Sequence, residues 1–465
     1  MNMINVRRLT VMTFLGAGML SGISAQVSPL QVDTLKETKI PAQWDLQSCI
    51  DYAKEQNITI RKNRITAAST QIDVKTAKAA LFPSLSFSTS QQVVNRPYQE
   101  TSSRVSGSEI ISSNSKTSYN GNYGLNASWT LYNGNKRLKT IQQEKLNNQV
   151  AELDVATSEN NIQESIAQVY IQILYAAESV KVNESTLQVS IAQRDRGQEL
   201  LNAGSIAKSD FAQLEAQVST DRYQLVTAQA TLEDYKLQLK QLLELDGENE
   251  MNIYLPALSD ENVLAPLPTK KDVYIRALSL RPEIEASKLN VEASELGIGI
   301  AKSSYLPTIS LSAGIGTNHT SGSDFTFGEQ VKNGWNNSIG VSVSVPIFNN
   351  RQTKSAVQKA KLQRETSLLS LLDEQKTLYK TIEGLWLDAN SAQQRYAAAN
   401  EKLKSTQISY ELISEQFNLG MKNTIELLTE KNNLLQAQQE QLQAKYMAIL
   451  NTQLLKFYQG DKLAL

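Results

Sequence analysis

The chain has 465 residues, with 46 Lys and Arg against 47 Asp and Glu, one His and one Cys. A net charge of −1 without a long basic run argues against nucleic-acid binding, and the single Cys and His exclude an intramolecular disulfide and a structural zinc site. Any His-based catalysis would depend on His319, which lies in the Gly-, Ser- and Asn-rich stretch GIGTNHTSGSDF and is expected to be an ordinary loop residue. The composition therefore predicts a protein that is not an enzyme and holds neither cofactor nor metal.

The first 25 residues are typical of a secretory signal. Arg7 and Arg8 precede the apolar run LTVMTFLGAGML, and small residues follow up to Ala25. That run is shorter than the ~20 residues that a membrane-spanning helix needs, and no later stretch is long enough either. A membrane location would therefore require a β-barrel. A lipoprotein signal would place a Cys at the cleavage point, and none stands there. Cys49, in WDLQSCIDYA, is expected to be buried on a helix face.

The chain repeats itself. A helical pattern that ends in a proline and an alternating stretch, AALFPSLS at Pro83, recurs as SSYLPTIS at Pro307, 224 residues later. The motifs LYNGNKR and IFNNRQT, and the glycines Gly204 and Gly420, are 216 residues apart. The sequence is thus an internal duplication whose eight-residue difference falls in or beside the low-complexity stretches 95–118 and 317–335. Surface loops tolerate such changes in length, so both stretches are expected to be loops.

Long helices are predicted after these stretches. Tyr132 to Gly204 and Phe348 to Gly420 match without a gap, lack proline, and are rich in Gln, Ala, Leu, Lys and Glu. At 1.5 Å per residue, each segment would be about 100 Å long as a helix. A narrow apolar stripe at helical spacing suits helices that pack on neighbours and are wetted on one side. In the first copy this stripe comprises Ile162, Ile166, Val169, Ile173, Leu174 and Ala177. A fibrous coiled coil would give the same pattern.

Four alternating stretches point instead to membrane strands. Apolar and polar residues alternate from Tyr119 to Leu131 and from Asn337 to Ile347, and the partner stretches after Pro83 and Pro307 alternate in the same way. Alternation over about ten residues with aromatic residues near the ends is typical of barrel strands that face lipid on one side and water on the other. A soluble sandwich would need a second sheet. Since the smallest barrels need about eight strands, three chains with four strands each are expected to share a barrel of 12.

With these features the chain resembles the TolC-like outer-membrane efflux proteins. The resemblance rests on the opening WDLQSCIDYAKEQNITI and its echo YIRALSLRPEI, on the junctions AALFPSLS, SSYLPTIS, WTLYNGNKR and VPIFNNRQT, and on the turns LLNAGSIAKSDF and FNLGMKNTIEL. It implies a mainly α fold with a membrane β-barrel, in which long antiparallel helices form a periplasmic tunnel. It also implies a homotrimer in the outer membrane that serves as the passive exit duct of a tripartite efflux or type I secretion system. Its partners would be a periplasmic adaptor and an inner-membrane pump. Cargo choice belongs mainly to the pump, so the resemblance names no cargo.

The resemblance also assigns roles to the two glycine turns. It places Gly204 and Gly420 at the periplasmic tip, where the long helices reverse and an adaptor docks. A helix reversal needs a residue that is free to take positive φ, which independently favours glycine at both positions. Glu426 would contribute an acidic ring to the constriction, and Asp210 is the corresponding residue of the first repeat.

Three further positions of the family's gate map onto this chain. Phe417 and Lys422 stand where some relatives carry an aromatic and a basic residue that lock the closed state, and Thr429 stands where they carry a second acidic residue. The chain departs from the pattern because Phe417 has no hydroxyl, Lys422 is not Arg, and Thr429 is uncharged. A solvated helix end would contain the same charged residues.

The predicted organisation follows the duplication. It comprises a signal peptide (1–25), an N-terminal segment (26–43), first-repeat helices (44–82), a first strand pair (83–132), a helical hairpin with its tip near 204 (133–245), a linker (246–270), second-repeat helices (271–306), a second strand pair (307–348) and a hairpin with its tip near 420 (349–460). The alternative function is a periplasmic coiled-coil adaptor or scaffold of an export complex.

Overall fold

The computed structural model describes residues 41–98, 102–106, 109–113, 116–246, 251–256, 263–321, 323 and 325–463. Apart from Met1–Gln43, the chain forms one compact unit, Trp44–Leu465, to which the helices and strands belong. The predicted signal peptide 1–25 lies outside the described residues, as does most of segment 26–43. Among the described helices, none combines the length and the apolar character needed to cross a bilayer.

Helices and strands alternate in the order that the duplication predicts. The elements are α1 (Leu46–Gln56), α2 (Ile58–Ala79), β1 (Ser84–Asn95), β2 (Ser102–Ser106), β3 (Glu109–Ser113), β4 (Thr117–Asn133), α3 (Lys136–Asn202), α4 (Lys208–Leu242), α5 (Lys270–Leu280), α6 (Pro282–Ser303), β5 (Thr308–Thr320), α7 (Phe327–Asn333), β6 (Asn336–Ser344), α8 (Gln352–Asn418) and α9 (Thr424–Tyr458).

The two repeats have helices of identical length. Helices α1 and α5 have 11 residues each, and α2 and α6 have 22. The long helices α3 and α8 have 67 residues each and the returning helices α4 and α9 have 35. At 1.5 Å per residue, α3 and α8 are each about 100 Å long. The predicted duplication and the mainly helical fold are confirmed.

Left-handed residues join each second strand to its long helix. Asn135 precedes α3 with φ = 63°, and Arg351 precedes α8 with φ = 65°. Asn is among the residues that tolerate this conformation, whereas Arg rarely adopts it. The helices α3 and α8 therefore leave the sheet through the same backbone geometry, although the residue types differ.

The four long strands form one antiparallel sheet in the order β1-β4-β5-β6. Its register places Ser86 opposite Asn126, and Ser310 opposite Ser342, on one face. Leu125 pairs with Ile315 and Leu311 pairs with Val341 on the other face. The predicted alternation of an apolar and a polar face is confirmed. The strands β1 and β6 are the two edges of this sheet.

The alternation ends earlier than expected in both second strands. A bulge shifts the register of β4 between Thr130 and Tyr132, so Leu131 has no partner on β5. Strand β6 ends at Ser344, whereas the sequence predicted alternation up to Ile347. Pro346 lacks the N–H that a further ladder bond would require, which is why the strand stops there.

The two low-complexity stretches are not simply loops, which corrects the expectation from sequence. Stretch 95–118 contains the antiparallel pair β2–β3, and stretch 317–335 contains α7. Helix α7 starts with a capping box, in which Thr326 and Glu329 bond each other's backbone N–H. His319, expected in a loop, is the penultimate residue of β5 and only 9% exposed. It pairs with Gly121, whose missing side chain leaves room for the imidazole.

The largest apolar core joins the first repeat to the returning helix of the second. Ile166, Ile173 and Leu174 of α3 pack in one cluster with Leu239 of α4 and Leu454 of α9. Cys49 of α1 is fully buried in this cluster, as predicted, and burial raises the pKa of its thiol to about 12. This core holds the two helical hairpins together at the sheet-side end of α9.

Candidate functional site: the helix tips and the buried cluster above them

Both long hairpins reverse through the same glycine turn. Gly204 has φ = 72° and Gly420 has φ = 74°. The N–H of Gly204 bonds the carbonyl of Leu201, and the N–H of Ser205 bonds that of Leu200, which is a Schellman motif. Gly420 and Met421 make the equivalent bonds to Phe417 and Gln416. A Cβ at either glycine would meet open space, so glycine is required for its backbone conformation rather than for packing.

Glu426 caps the helix that returns from the second tip. The side chain of Asn423 accepts a bond from the N–H of Glu426, and the carboxylate of Glu426 accepts one from the N–H of Asn423. The same carboxylate is 2.6 Å from Nζ of Lys422. These contacts hold the pKa of Glu426 below its usual range, chiefly through the bond from Lys422. Lys422 and Glu426, predicted on separate grounds, thus form one ion pair.

The other predicted tip residues have local roles. Asp210 accepts a bond from the N–H of Ala207 at the start of α4, and Ala207 has no side-chain acceptor to complete a capping box. Thr429 is exposed and donates to the carbonyl of Ile425. Phe417 is 3% exposed, so it anchors the base of the turn rather than lining an opening in the single chain.

Apolar side chains extend outward from the second tip. Leu419, Met421 and Ile425 are between 62% and 75% exposed, although they flank a turn that is otherwise well ordered by hydrogen bonds. Three large apolar side chains on one exposed turn are typical of a surface that another protein covers.

A buried ionic cluster lies further along the hairpins. Lys431 of α9 contacts both Asp221 of α4 and Ser190 of α3, and Ser190 donates to the same Asp221 oxygen. The side chains of Lys431 and Asp221 are 3% and 1% exposed. Gln217 donates to the second oxygen of Asp221 at 2.9 Å. Every polar atom of the two side chains therefore has a hydrogen-bond partner inside a buried contact between the first hairpin and α9.

This cluster breaks the repeat symmetry and was not predicted from sequence. At the positions 216 residues away, Asp221 is replaced by Ala437, Ser190 by Thr406 and Lys431 by Glu215. Comparing the polarity of the aligned repeats would have singled out Asp221, because the other repeat has the apolar Ala437 at that position and an Asp at an apolar helix position needs a partner.

Nothing at the tips has the donor set of a metal site. The described part of the chain contains no group of three or more His, Cys, Asp and Glu residues that could hold a metal ion. The chemistry that the tips offer is charge pairing and apolar contact.

Comparison with known proteins identifies the family. The profile of the family described as "Outer membrane efflux protein" matches residues 49–244 and 273–460, which correspond to the two repeats. The outer membrane efflux protein BepC of Brucella suis biovar 1 (strain 1330) is 24% identical over 294 residues, which are 63% of this chain and 61% of BepC. The outer membrane protein TolC of Escherichia coli (strain K12) is 22% identical over 311 residues, which are 65% of this chain and 62% of TolC. The alignments thus span just over three fifths of each relative's length.

Solved structures share the fold. The channel-forming protein CusC superposes with a TM-score of 0.76 at 18% identity and covers 92% of this chain and 96% of its own. The outer membrane protein VceC of Vibrio cholerae gives a TM-score of 0.73 at 16% identity, with 90% and 97% covered. The profile match over both repeats, the duplicated hairpins and the two-faced four-stranded sheet agree, and the chain belongs to the outer membrane efflux protein family.

Proposed function

We propose that this protein is a homotrimeric outer-membrane channel, the exit duct of a tripartite efflux or type I secretion system. The observation that supports it most directly is the four-stranded sheet, which is apolar on one face and polar on the other and whose strands adjoin the helices α2, α3, α6 and α8. Closing such a sheet with two further copies would put lipid outside and water inside. The duct is a passive conduit without a catalytic step, with its strands in the outer membrane and its helices in the periplasm.

The helix tips are proposed as the docking surface for a periplasmic adaptor, which would link the duct to an inner-membrane pump. Gly204 and Gly420 form the turns, and Leu419, Met421 and Ile425 offer exposed apolar area beside the second turn. The adaptor alternative for this chain itself is set aside, because the family match covers both repeats and belongs to outer-membrane efflux proteins.

The second tip is proposed as the gate, with Glu426 facing a threefold axis. Three bare carboxylates crowded around such an axis would repel one another and raise their pKa values. The contacts within one chain act in the opposite direction, because Lys422 pairs with Glu426 and lowers its pKa. The ring therefore comprises three Lys–Glu pairs rather than three bare carboxylates. The electrostatic potential at the constriction then depends on both Lys422 and Glu426.

Channel currents in planar bilayers test the function and the gate together. The purified protein should give discrete current steps. Relative to it, Glu426→Gln should lower the preference for cations and Lys422→Gln should raise it, because the two charges oppose each other at one point. Since the pKa of Glu426 is depressed, its carboxylate should stay charged as the pH falls below 4.5. It should become protonated only as the pH reaches the lower pKa that Glu426 has in the folded protein.

Thr429→Gln is the matched control, because Thr429 is uncharged and lies near Glu426 on the same helix. The absence of channel steps from inserted protein would contradict the proposed duct. Steps with the same ion preference in all three variants would leave the duct intact and place the constriction elsewhere.

A further inference from the structure

Helix α7 lies against the apolar face of the sheet at the end remote from the long helices. The hydroxyl of Thr317 donates to the carbonyl of Val331 at 2.7 Å, and the N–H of Thr320 donates to the side chain of Gln330 at 2.8 Å. Both bonds tie the helix to the end of β5. The helix and its flanks, residues 325–335, are called the collar here.

His319 fixes the collar in place. Its ring lies 5.1 Å from that of Phe327 in an edge contact and 5.9 Å from that of Tyr123 in a stacked one. The imidazole also covers Gly121, where an added Cβ would lie 2.2 Å from it. Residues 317, 319, 121 and 123 belong to the apolar face, and the collar contacts this face through Val331 and Phe327. Its last turn, at Gly334, lies close to Asn318 of the polar face.

The apolar face changes character where the collar begins. Three successive levels of paired residues are mainly apolar, and they comprise Trp129, Leu311 and Val341, then Leu85, Ala127, Ala313 and Ile339, then Phe87, Leu125 and Ile315, which pairs with the polar Asn337 on β6. The next two levels contain polar groups, and they comprise Thr89, Tyr123 and Thr317, then Gln91, Gly121 and His319. Strand residues alone would end the apolar band at Ile315.

The collar adds aromatic surface at that boundary. Phe325, Phe327 and Trp335 are 50%, 47% and 57% exposed, and Lys332 is exposed beside them. Aromatic rings with a polar edge favour the level of lipid headgroups, and a Lys side chain can lay its methylenes on apolar surface while its ammonium reaches phosphate.

We propose that the collar is a lipid-anchoring element, whose aromatic side chains enter the boundary between acyl chains and headgroups of the outer leaflet and whose Lys332 faces a headgroup phosphate. This proposal rests on the proposed insertion of the strands in a membrane. It assigns the aromatic belt at this end of the sheet to a helix in a connection between strands. The occupant is lipid because Trp335 directly precedes β6, whose apolar face the proposed function places in the membrane.

Trp335 reports on the proposal directly. The protein is reconstituted in phosphatidylethanolamine–phosphatidylglycerol vesicles that carry brominated acyl chains, with bromine either near the headgroup or near the methyl end. The emission lost in Trp335→Phe gives the contribution of Trp335. We expect both lipids to quench it, the shallow bromine more strongly than the deep one, because an interfacial indole lies closer to the headgroup end.

Trp129 is the internal control, because it lies on the same face at the helix-side end of β4 and is measured by Trp129→Phe. Quenching of Trp129 without quenching of Trp335 would overturn the collar proposal and leave membrane insertion intact. Stronger quenching of Trp335 by the deep bromine would also overturn it, since the ring would then lie in the acyl core. Absence of quenching at both residues would contradict insertion of the strands, and the collar proposal with it.

Discussion

At the scale of single residues, Lys431 and Asp221 form a buried ion pair between helices of the two repeats. Two charges that are withdrawn from water cost several kcal/mol each, and the cost is offset only when hydrogen bonds satisfy every polar atom. Ser190 and Gln217 complete those bonds. Burial lowers the pKa of Lys431, and the bond to Asp221 opposes that shift. The pair thus holds α9 in one position against α3 and α4.

Removing one partner should destabilise the protein far more than removing both. Lys431→Met leaves Asp221 buried without a counter-charge, at a cost of about 3–5 kcal/mol. The double variant Lys431→Met with Asp221→Leu should recover most of that loss, because no uncompensated charge remains. The midpoint of the thermal loss of helical circular dichroism in detergent measures the order of the variants.

Lys402→Met is the control for that series. Lys402 pairs with Glu440 within the second hairpin, between α8 and α9, and both side chains are 42% exposed, so its loss should cost at most about 1 kcal/mol. A Lys431→Met midpoint as high as that of Lys402→Met would indicate that water reaches the cluster.

Residue-level predictions from sequence succeeded where the cause is local. Cys49 sits at an apolar position of a helical pattern and is buried as expected. Gly204 and Gly420 have the positive φ that a helix reversal demands. His319 was assigned wrongly, because its place in β5 depends on Gly121 and Tyr123, which are far away in the sequence and give no local signal.

At the scale of elements, the sheet is a two-sided surface with different solvents expected on each side. Ile339 lies on the apolar face near the middle of β6, which spans Asn336–Ser344, and is 79% exposed. Its neighbour Ser338 lies at the same depth on the polar face. The pair offers a test in which position along the strand is constant and only the face changes.

We expect Ile339→Arg to abolish assembly and Ser338→Arg to permit it. An Arg that faces lipid near the middle of the bilayer costs about 2–4 kcal/mol, whereas an Arg that faces the water-filled interior stays solvated. The yield of folded protein in outer-membrane extracts measures the difference. Similar losses from both substitutions would mean that β6 does not separate lipid from water.

The sequence predicted elements well when they are long and repeated. The helical pattern of the long helices occurs in both repeats, because the stretches from Tyr132 to Gly204 and from Phe348 to Gly420 match without a gap. Helix α7 was not predicted, because it has only seven residues and lies in a Gly- and Ser-rich stretch. Its capping signal is the single pair Thr326 and Glu329. The bulge at Leu131 was not predicted, because it arises from the pairing of Tyr132 with Ile309 across the sheet and not from the composition of β4.

At the scale of the whole molecule, the sheet is incomplete by itself. Strands β1 and β6 are its edges, and their main-chain donors and acceptors need partners in a membrane, where no water is available. Neighbouring strands in the order β1-β4-β5-β6 are antiparallel, so β6 of one chain and β1 of the next also run in opposite directions. In the proposed homotrimer, three copies would close a continuous antiparallel barrel of 12 strands, above the known minimum of about eight.

Cysteine cross-linking between the edges tests this closure. Ser86→Cys on β1 is combined in turn with Ser338→Cys, Ser342→Cys or Ser344→Cys on β6, since all four residues lie on the polar face and the set samples the unknown register between chains. A short bifunctional maleimide should convert at least one combination into covalent trimers. The native Cys49 should not compete, because it is fully buried and its thiol pKa is raised to about 12.

Ser86→Cys with Val341→Cys is the control, because Val341 faces the opposite side of the sheet. Covalent species larger than trimers would show that the chain closes with another number of copies, and labelled cysteines that never cross-link would show that β1 and β6 of different chains do not meet.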